Sequence, residues 1–268
     1  MPALPGSGDI VHLEDLCVIP GGGGGVTFFQ LTKSSAELHL FTAIGADAAG
    51  AEMEARLRQT SATLHIARRV EPHTRDIVLL TPEGERTIVV LGWPLHPRCD
   101  DALPWEVLAS CDAVYFTAYD PELIKEARRA KLLVVSARRR EALNASGVRA
   151  DVVVGSSLDP REASTLADYA VPPLALVLTA GAKPGRIENA DGSEAFAAPP
   201  TPSPLRSSYG AGDSFAGALL WFLAQGCALR DAAVRAGPYG AAVLVSHDTV
   251  AAQRQLDAPS SERGLSGQ

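Results

Sequence analysis

The sequence has few cysteines, and their spacing indicates neither disulfide bonds nor a metal site. Only four occur among 268 residues, no two of them form a CxxC pair, and the nearest pair is Cys99 and Cys111. The N-terminus lacks the basic start and the apolar stretch of a signal peptide. Scattered cysteines without an export signal indicate reduced thiols rather than a disulfide framework or a zinc site. We therefore expect a cytoplasmic protein.

Positive charge and long apolar runs are also scarce. Lys and Arg number 24 against 31 Asp and Glu, which leaves a net charge of −7. General binding to nucleic acid or to a membrane surface needs a dominant positive field, so the sequence excludes both roles. No uncharged apolar run approaches the ~20 residues of a membrane span. The expected partners are therefore small molecules.

What the sequence does contain is enough apolar material for one large domain. Hydrophobic residues make up 46% of the chain, and its length suits a single core. After residue 112, short apolar runs alternate with helical stretches, which indicates βαβ units and a parallel sheet. The predicted strands are Ala113–Thr117, Leu132–Ser136, Asp151–Gly155 and Leu174–Thr179; the predicted helices are Pro121–Ala130, Asp159–Tyr169, Ala211–Gln225 and Leu229–Ala236.

The part before residue 100 is richer in predicted strands. Leu38–Ile44 reads as a strand followed by a glycine turn and a short helix, and another apolar run covers Leu64–Val70. Asp76–Thr81 and Arg86–Leu91 flank a turn-forming segment, which predicts a β-hairpin or meander.

Five consecutive glycines, Gly21–Gly25, invite a comparison with nucleotide-binding loops. A dinucleotide fingerprint needs glycine at i, i+2 and i+5, and every register of this run fails at the third position. A P-loop needs Gly-Lys-Ser/Thr, and no lysine here follows a glycine. This rules against a Rossmann dehydrogenase. Two interpretations stay open: a flexible surface loop, or a segment whose backbone approaches a ligand closely.

The strongest local signal is Tyr209–Ala218, which reads YGAGDSFAGA. Two glycines at the start of a long apolar helix leave backbone N–H groups unpaired at the positive end of the helix dipole, which makes an anion site. Asp213 falls in that first turn. It is either a functional carboxylate at the anion site or simply a residue that stabilises the helix N-terminus.

The run GAGDSFAGALLWFLAQG resembles the C-terminal signature of the ribokinase (PfkB) family of sugar and nucleoside kinases. Other family motifs have counterparts in the same order over about Gly8–Ser246. Gly21–Gly25 is similar to the glycine-rich substrate loop, and Gly45–Gly50 to the GxDxxG turn. Ser156–Asp159 stands in the place of NxxE, and Thr179–Gly181 is similar to the start of TxGxxG.

The resemblance implies a three-layer α/β/α sandwich with a mainly parallel central sheet and a small β-lid. On this basis one domain covers residues 1–250, with the lid formed by about 10–20 and 64–92. Residues 251–268 are expected to be a flexible tail. Relatives pair through the lid, which suggests a homodimer whose interface contains an apolar lid face, assigned to Ile77, Leu79, Ile88 and Val90.

The resemblance also implies a mechanism and its residues. Asp213 would be the general base that takes the proton of an acceptor hydroxyl, and the amides of Gly210, Ala211 and Gly212 would form the anion hole. The substrates would be ATP with Mg²⁺ and a small sugar, sugar derivative or nucleoside. The other implied contacts are Thr179, Gly181, Ser156 and Asp159 for the nucleotide, Asp159 for the magnesium shell, and Asp9, Gly24, Gly25 and Val26 for the acceptor.

Departures from the family pattern support an alternative, a ribokinase-like protein that binds a nucleotide or small ligand without useful turnover. Val26 stands where the family has an asparagine, Ser207-Ser208 replaces its Asp-Thr, and Pro184 takes the last glycine position of TxGxxG. The first strand, which presents a substrate-binding aspartate, would have to fit within Gly8–Leu16, with Asp9 or Asp15 in that role or in a turn.

Two groups of cations also have open interpretations. Arg138-Arg139-Arg140 reads as a solvated loop or helix end that is also able to attract a phosphate. His73, Arg75 and Arg86 fall in the predicted lid, either as exposed decoration or as residues that reach the substrate.

Overall fold

The structure, a computed structural model, describes residues 5–12, 16–81 and 86–256. Its strands are β1 His39–Gly45, β2 Thr63–Arg69, β3 Arg75–Leu80, β4 Arg86–Leu91, β5 Ala113–Phe116, β6 Leu132–Ser136, β7 Val152–Ser156, β8 Ala175–Ala180, β9 Lys183–Asn189 and β10 Gly192–Phe196. Its helices are α1 Gly23–Leu31, α2 Ala48–Leu57, α3 Pro121–Ala127, α4 Arg140–Ser146, α5 Ala211–Ala224, α6 Leu229–Ala242 and α7 Thr249–Ala252.

Six strands form the main sheet in the order β10-β9-β8-β7-β6-β5. Strands β5 to β8 are parallel, and β9 and β10 join as antiparallel strands. Successive side chains of a strand point to opposite faces, so Val134 packs towards α5 and α6, whereas its neighbours Leu133 and Val135 pack towards α3 and α4. Helices therefore cover both faces, which confirms the predicted three-layer α/β/α sandwich with a mainly parallel sheet.

One predicted helix is almost entirely absent. The stretch predicted over Asp159–Tyr169 is irregular except for the single 3-10 turn Leu166–Asp168. The Asp159 side chain accepts the backbone N–H of Arg161, and Thr165 and Asp168 cap the short turn reciprocally. These local side-chain bonds compete with helical backbone bonds, which explains the difference.

The strands β1 and β2 form a separate parallel pair, packed with α1 and α2 around Phe28, Phe29, Ile44 and Leu57. Among the described residues, no strand connects this pair to β5 at the edge of the main sheet. The first strand predicted within Gly8–Leu16 is wrong for its described part, where Ile10 is 87% and Leu16 is 88% exposed. The lid strand predicted at 10–20 is likewise absent from residues 10–12 and 16–20. Asp15 lies outside the described residues.

Of the strands in the predicted lid segment 64–92, β3 and β4 form a hairpin, whereas β2 pairs with β1. The register of the hairpin corrects the predicted apolar face. Ile77 is opposite Val89, whereas Val78 is opposite Ile88, and directly opposite residues share a face. The predicted set of Ile77, Leu79, Ile88 and Val90 therefore mixes two faces. The first face carries Ile77, Leu79, Val89 and Leu91; the second carries Val78, Ile88, Val90 and Arg86.

The C-terminal boundary of the domain lies beyond the predicted residue 250. The Gln253 side chain donates to the Val26 carbonyl over 2.8 Å, and the Leu256 side chain is only 3% exposed. Residues 251–256 are thus held along α1 rather than flexible, since Gln253 bonds to its first turn and the Leu256 N–H donates to the Lys33 carbonyl just after its end. The remainder of the predicted tail is outside the described residues. No helix in the described part of the chain has the length and apolarity to cross a membrane.

Candidate active site

Two helices, α1 and α5, begin beside each other and bring Asp213 between their first turns. Both start from a glycine with positive φ, +75° at Gly22 and +77° at Gly210. A side chain on Gly23 would place its Cβ 2.8 Å from Asp213 Oδ1, so only glycine lets the carboxylate lie against α1. The Thr27 hydroxyl donates to the Asp213 carbonyl over 3.0 Å and ties the two helices together.

The Asp213 carboxyl has a strongly altered acidity. Burial raises its pKa to about 6, and the negative charge of Glu162 adds to the increase. Arg138 and Arg86 oppose this shift without cancelling it. A carboxylate that titrates near neutral pH at the bottom of a cleft is suited to accepting a proton.

The predicted anion hole is open to the cleft. Ala211 and Gly212 lie in the first turn of α5, where amides have no acceptor within the helix. Gly212 is exposed, and a Cβ built on it would meet nothing within 4 Å, so an anion has room to approach these N–H groups. Gly210 itself supplies the left-handed turn that starts the helix.

The glycine run turns out to be mostly helical, so it is not a flexible loop. Gly23, Gly24 and Gly25 form the first turn of α1, and a Cβ on Gly24 would approach Thr117 to 2.8 Å. Gly24 and Gly25 both line the cleft. Val26 does not, since its side chain is fully buried, and the prediction that it contacts an acceptor is wrong.

Asp9, the other predicted acceptor ligand, lies away from the cleft. Its side chain is exposed and accepts the backbone N–H of Gly6 over 2.8 Å, so it serves a local turn. It is not among the residues that line the cleft. The prediction that Asp9 contacts an acceptor is therefore wrong for this structure, because residues 8–12, which would present it, form no strand.

The four predicted nucleotide contacts, Ser156, Asp159, Thr179 and Gly181, line the same cleft as Asp213. Thr179, the penultimate residue of β8, pairs with Ser156 of β7, and its carbonyl accepts the Ser157 backbone N–H over 2.8 Å. Gly181 makes the turn into β9 with φ +62°. Burial opposes ionisation of Asp159, but the Arg161 N–H and the guanidinium groups of Arg138 and Arg161 outweigh it and hold its pKa below the ordinary value.

Glu162 is a site residue that the sequence analysis missed. Its carboxylate accepts the Ser156 backbone N–H over 2.8 Å, contacts Arg138 Nε at 2.5 Å and raises the pKa of Asp213. The order Asp159-x-x-Glu162 is an available signal, but the region was interpreted as a helix beginning at Asp159. Because the segment is irregular, Glu162 folds back onto the end of β7.

The GxDxxG turn has a structural role that its motif did not reveal. Asp47 caps α2 by accepting the Gly50 N–H over 2.9 Å and also accepts the His73 N–H over 3.1 Å. A Cβ on Gly45 would lie 2.3 Å from the backbone nitrogen of His73, so only glycine fits at this position. The turn thus holds the segment that leads into the hairpin.

A single cleft of about 3060 Å³ contains Asp213, the start of α5, Gly24, Gly25, Glu162 and the four predicted nucleotide contacts. It runs from the nucleotide-side residues past Asp213 to the hairpin and continues between the edges of β1 and β5. Its size exceeds the roughly 300–1,000 Å³ of a typical small-ligand pocket and leaves room for two ligands. In the described residues, no three His, Cys, Asp or Glu side chains come together as a metal site.

No protein-family model matches the chain, and no curated protein matches it. Solved structures, in contrast, do match the chain. The nucleoside kinase of Methanocaldococcus jannaschii has a TM-score of 0.72 at 15% identity, covering 94% of this chain and 89% of that one. The fructokinase of Xylella fastidiosa with bound ATP has a TM-score of 0.70 at 17% identity, covering 88% of each chain.

The adenosine kinase of Sinorhizobium meliloti is similar too, with a TM-score of 0.68 at 17% identity over 89% of this chain and 80% of that one. These likenesses establish the fold. The chain has the three-layer architecture of the ribokinase-like proteins, as the sequence predicted.

Proposed function

We propose that this protein is an ATP-dependent phosphotransferase that phosphorylates a hydroxyl of a small sugar, sugar derivative or nucleoside. One observation carries the proposal: the Asp213 carboxyl lies between two helix N-termini and has a pKa of about 6. The similar structures named above, two nucleoside kinases and a fructokinase, support the same reaction class. Use of ATP would place the protein in the cytoplasm.

The proposed reaction moves one phosphoryl group and one proton. The acceptor hydroxyl oxygen forms a bond to the γ-phosphorus, the bond from that phosphorus to its bridging oxygen breaks, and ADP leaves. Asp213 takes the hydroxyl proton. The amides of Gly210, Ala211 and Gly212 bind the oxygens of the phosphoryl group, whose negative charge needs positioned donors.

The nucleotide would bind along Ser156, Thr179 and Gly181, at the carboxyl ends of β7 and β8. Ligands in open α/β sheets bind at this end of the strands. Asp159 and Glu162 already pair with Arg138, so they would orient waters of a Mg²⁺ ion held chiefly by phosphate oxygens rather than bind it directly. When bound, it would neutralise phosphate charge.

The acceptor would bind on the other side of Asp213, against Gly24 and Gly25 and beneath the hairpin. Small residues at the start of α1 let a hydroxyl come close to the carboxylate, and the hairpin would limit the access of water that competes with the acceptor. Val26 and Asp9 have no part in this proposal.

A ligand-binding protein without turnover is the second candidate. The observation that favours it is that no strand of the described residues lies between β1 and β5, together with the exposed position of Asp9. This candidate function gives no role to the raised pKa of Asp213, so we place it second.

Release of ADP from ATP and Mg²⁺, measured across a panel of sugars, sugar derivatives and nucleosides, tests the proposed function. We expect turnover that depends on one class of acceptor and exceeds the acceptor-free rate. ATP binding by calorimetry without ADP release for any acceptor would contradict the proposal and favour the ligand-binding protein.

We also propose a homodimer through the first face of the hairpin, which exposes Ile77, Val89 and Leu91 by 42–47%. A contiguous exposed apolar face of this kind marks an association surface. We expect Val89→Lys to convert a dimer into a monomer in light scattering at micromolar concentration. Gln59→Lys, at a distant surface, is the control. A monomeric wild-type protein, or a Val89→Lys dimer, would contradict this interface.

A further inference from the structure

Two arginines from opposite walls of the cleft face Asp213. Arg138 follows β6 on the nucleotide side, and Arg86 begins β4 in the hairpin. Both side chains line the cleft, and both lower the pKa of Asp213. From the sequence, Arg138 is either solvated or able to attract a phosphate, and Arg86 is either exposed decoration or a residue that reaches the substrate.

Arg138 is held in a fixed orientation by two carboxylates. Its Nη2 donates to Asp159 Oδ2 over 2.5 Å, and its Nε contacts Glu162 Oε1 at 2.5 Å. Glu162 is itself fixed by the Ser156 backbone N–H. A guanidinium has five N–H donors, so this arrangement leaves Nη1 without a partner within the described part of the chain. The side chain remains 34% exposed to the cleft.

Its two neighbours in sequence are used differently. Arg139 Nε donates to the Thr117 carbonyl over 2.6 Å and its guanidinium stacks on Tyr119, while Arg140 donates to the Ala163 carbonyl. Of the three consecutive arginines, Arg138 is therefore the one whose guanidinium is held in a fixed orientation and acts on Asp213.

Arg86 connects the hairpin to the start of α5. Its Nη1 donates to Ser208 Oγ over 2.9 Å, two residues before Gly210. Arg86 shares its face of the hairpin with Ile88 and Val90, and all three residues line the cleft. The contact brings a guanidinium from the hairpin to the entrance of the anion hole.

We propose that Arg138 and Arg86 are catalytic residues that bind the phosphoryl group from opposite sides while it passes between nucleotide and acceptor. This inference rests on the proposed function. A transferring phosphoryl group spreads negative charge over three equatorial oxygens, and a guanidinium fork matches such oxygens in geometry and charge. Arg138 approaches from the donor side in a prearranged orientation. Arg86 approaches from the acceptor side. Because Arg86 belongs to the hairpin, catalysis then depends on the position of the hairpin.

The same geometry predicts a change in pH dependence. The charged and titratable groups that interact with Asp213 are Glu162, which raises its pKa, and Arg138 and Arg86, which lower it. The phenols of Tyr115 and Tyr209 also interact with it and stay neutral, since burial raises the pKa of both. Removal of either arginine therefore moves the pKa of Asp213 above about 6 and shifts the acid limb of the rate profile to higher pH.

The test compares Arg138→Met and Arg86→Met with two matched controls. Arg129→Met removes a cation that pairs with Glu126 and is 44% exposed, and Arg68→Met removes one that pairs with Glu54 and is 62% exposed; neither residue lines the cleft. We expect each of the first two variants to lower kcat at least about 10³-fold, the lower end of the range for catalytic arginines. Arg138→Met should also lose affinity for ATP more than for ADP, because only ATP has the γ-phosphate. The controls should stay within about threefold of wild type.

Two readouts do not need turnover. The ATP-to-ADP affinity ratio, measured by calorimetry, reports on Arg138, and carboxyl carbon NMR of Asp213 reports on both arginines through its pKa. If the wild type turns over no acceptor, the proposed function fails, but these readouts still test where the arginines act. Unchanged kcat, affinity ratio and Asp213 titration in the Met variants would overturn the inference. Partial recovery in Arg→Lys variants would support it.

Discussion

Asp213→Asn is expected to lower acceptor-dependent ADP release by about 10²–10⁴-fold, the usual contribution of a general base. The amide keeps the size of the carboxylate but cannot take the hydroxyl proton. The measurement is kcat at pH 8, where wild-type Asp213, with its pKa of about 6, is ionised. Wild-type activity should fall below that pH as the base becomes protonated. Retention of more than a tenth of wild-type activity would contradict the role assigned to Asp213.

The same variant should be more stable than wild type at neutral pH, which separates lost chemistry from lost folding. Burial raises the folded-state pKa of Asp213 above its ordinary value of 3.8, so the folded state binds a proton that the unfolded state has released. For a raised carboxyl, stability falls as pH rises from about 4 to about 6 and stays lower above that range. Asn has no charge to bury. Thermal unfolding should therefore occur at a higher temperature in the variant at pH 8, and the difference should disappear at pH 4.

Gly210→Ala is expected to reduce the free energy of unfolding by about 2–4 kcal/mol and to abolish turnover. The backbone at Gly210 has φ +77°, and an added Cβ would lie 2.5 Å from Thr249 Cγ2 and 3.1 Å from Val26 Cγ1. Thr249 cannot easily move, because its hydroxyl donates to the Tyr209 carbonyl and its side chain is fully buried. The strain falls at the residue that starts α5, so the amides of the anion hole shift with it.

Urea unfolding followed by circular dichroism measures this loss, and Gly212→Ala is the stability control. Gly212 is two residues further along, has an ordinary helical backbone, and has open space where its Cβ would be. Equal stability of Gly210→Ala and wild type would show that the left-handed turn is not required.

The features determined by the sequence alone are those that depend on local patterns. Alternating apolar runs predicted the four parallel strands β5 to β8, and a glycine-rich start followed by an apolar stretch predicted α5 to within one residue of its end. The hairpin of β3 and β4 followed from two apolar segments around a turn. Asp213 was identified because its place in the first turn depends only on its neighbours in sequence.

Tertiary structure decided which side chains meet at the site, because those contacts join segments far apart in the chain. The family resemblance placed Val26 at the acceptor, but its side chain is fully buried, with Cγ1 against Gly210 at the start of α5. It placed Glu162 within a helix, whereas side-chain bonds around Asp159 and Thr165 break that helix and turn Glu162 towards Arg138.

The orientation of Arg138 and Arg86 is a further example. No local pattern records that one is held by two carboxylates after β6 and the other by Ser208 from the hairpin. Hydrophobic periodicity depends on residues a few positions apart, so it predicts helices and strands. The electrostatic environment of Asp213 depends on groups 51 to 127 positions away in sequence, and only the folded chain brings them within reach of one carboxylate.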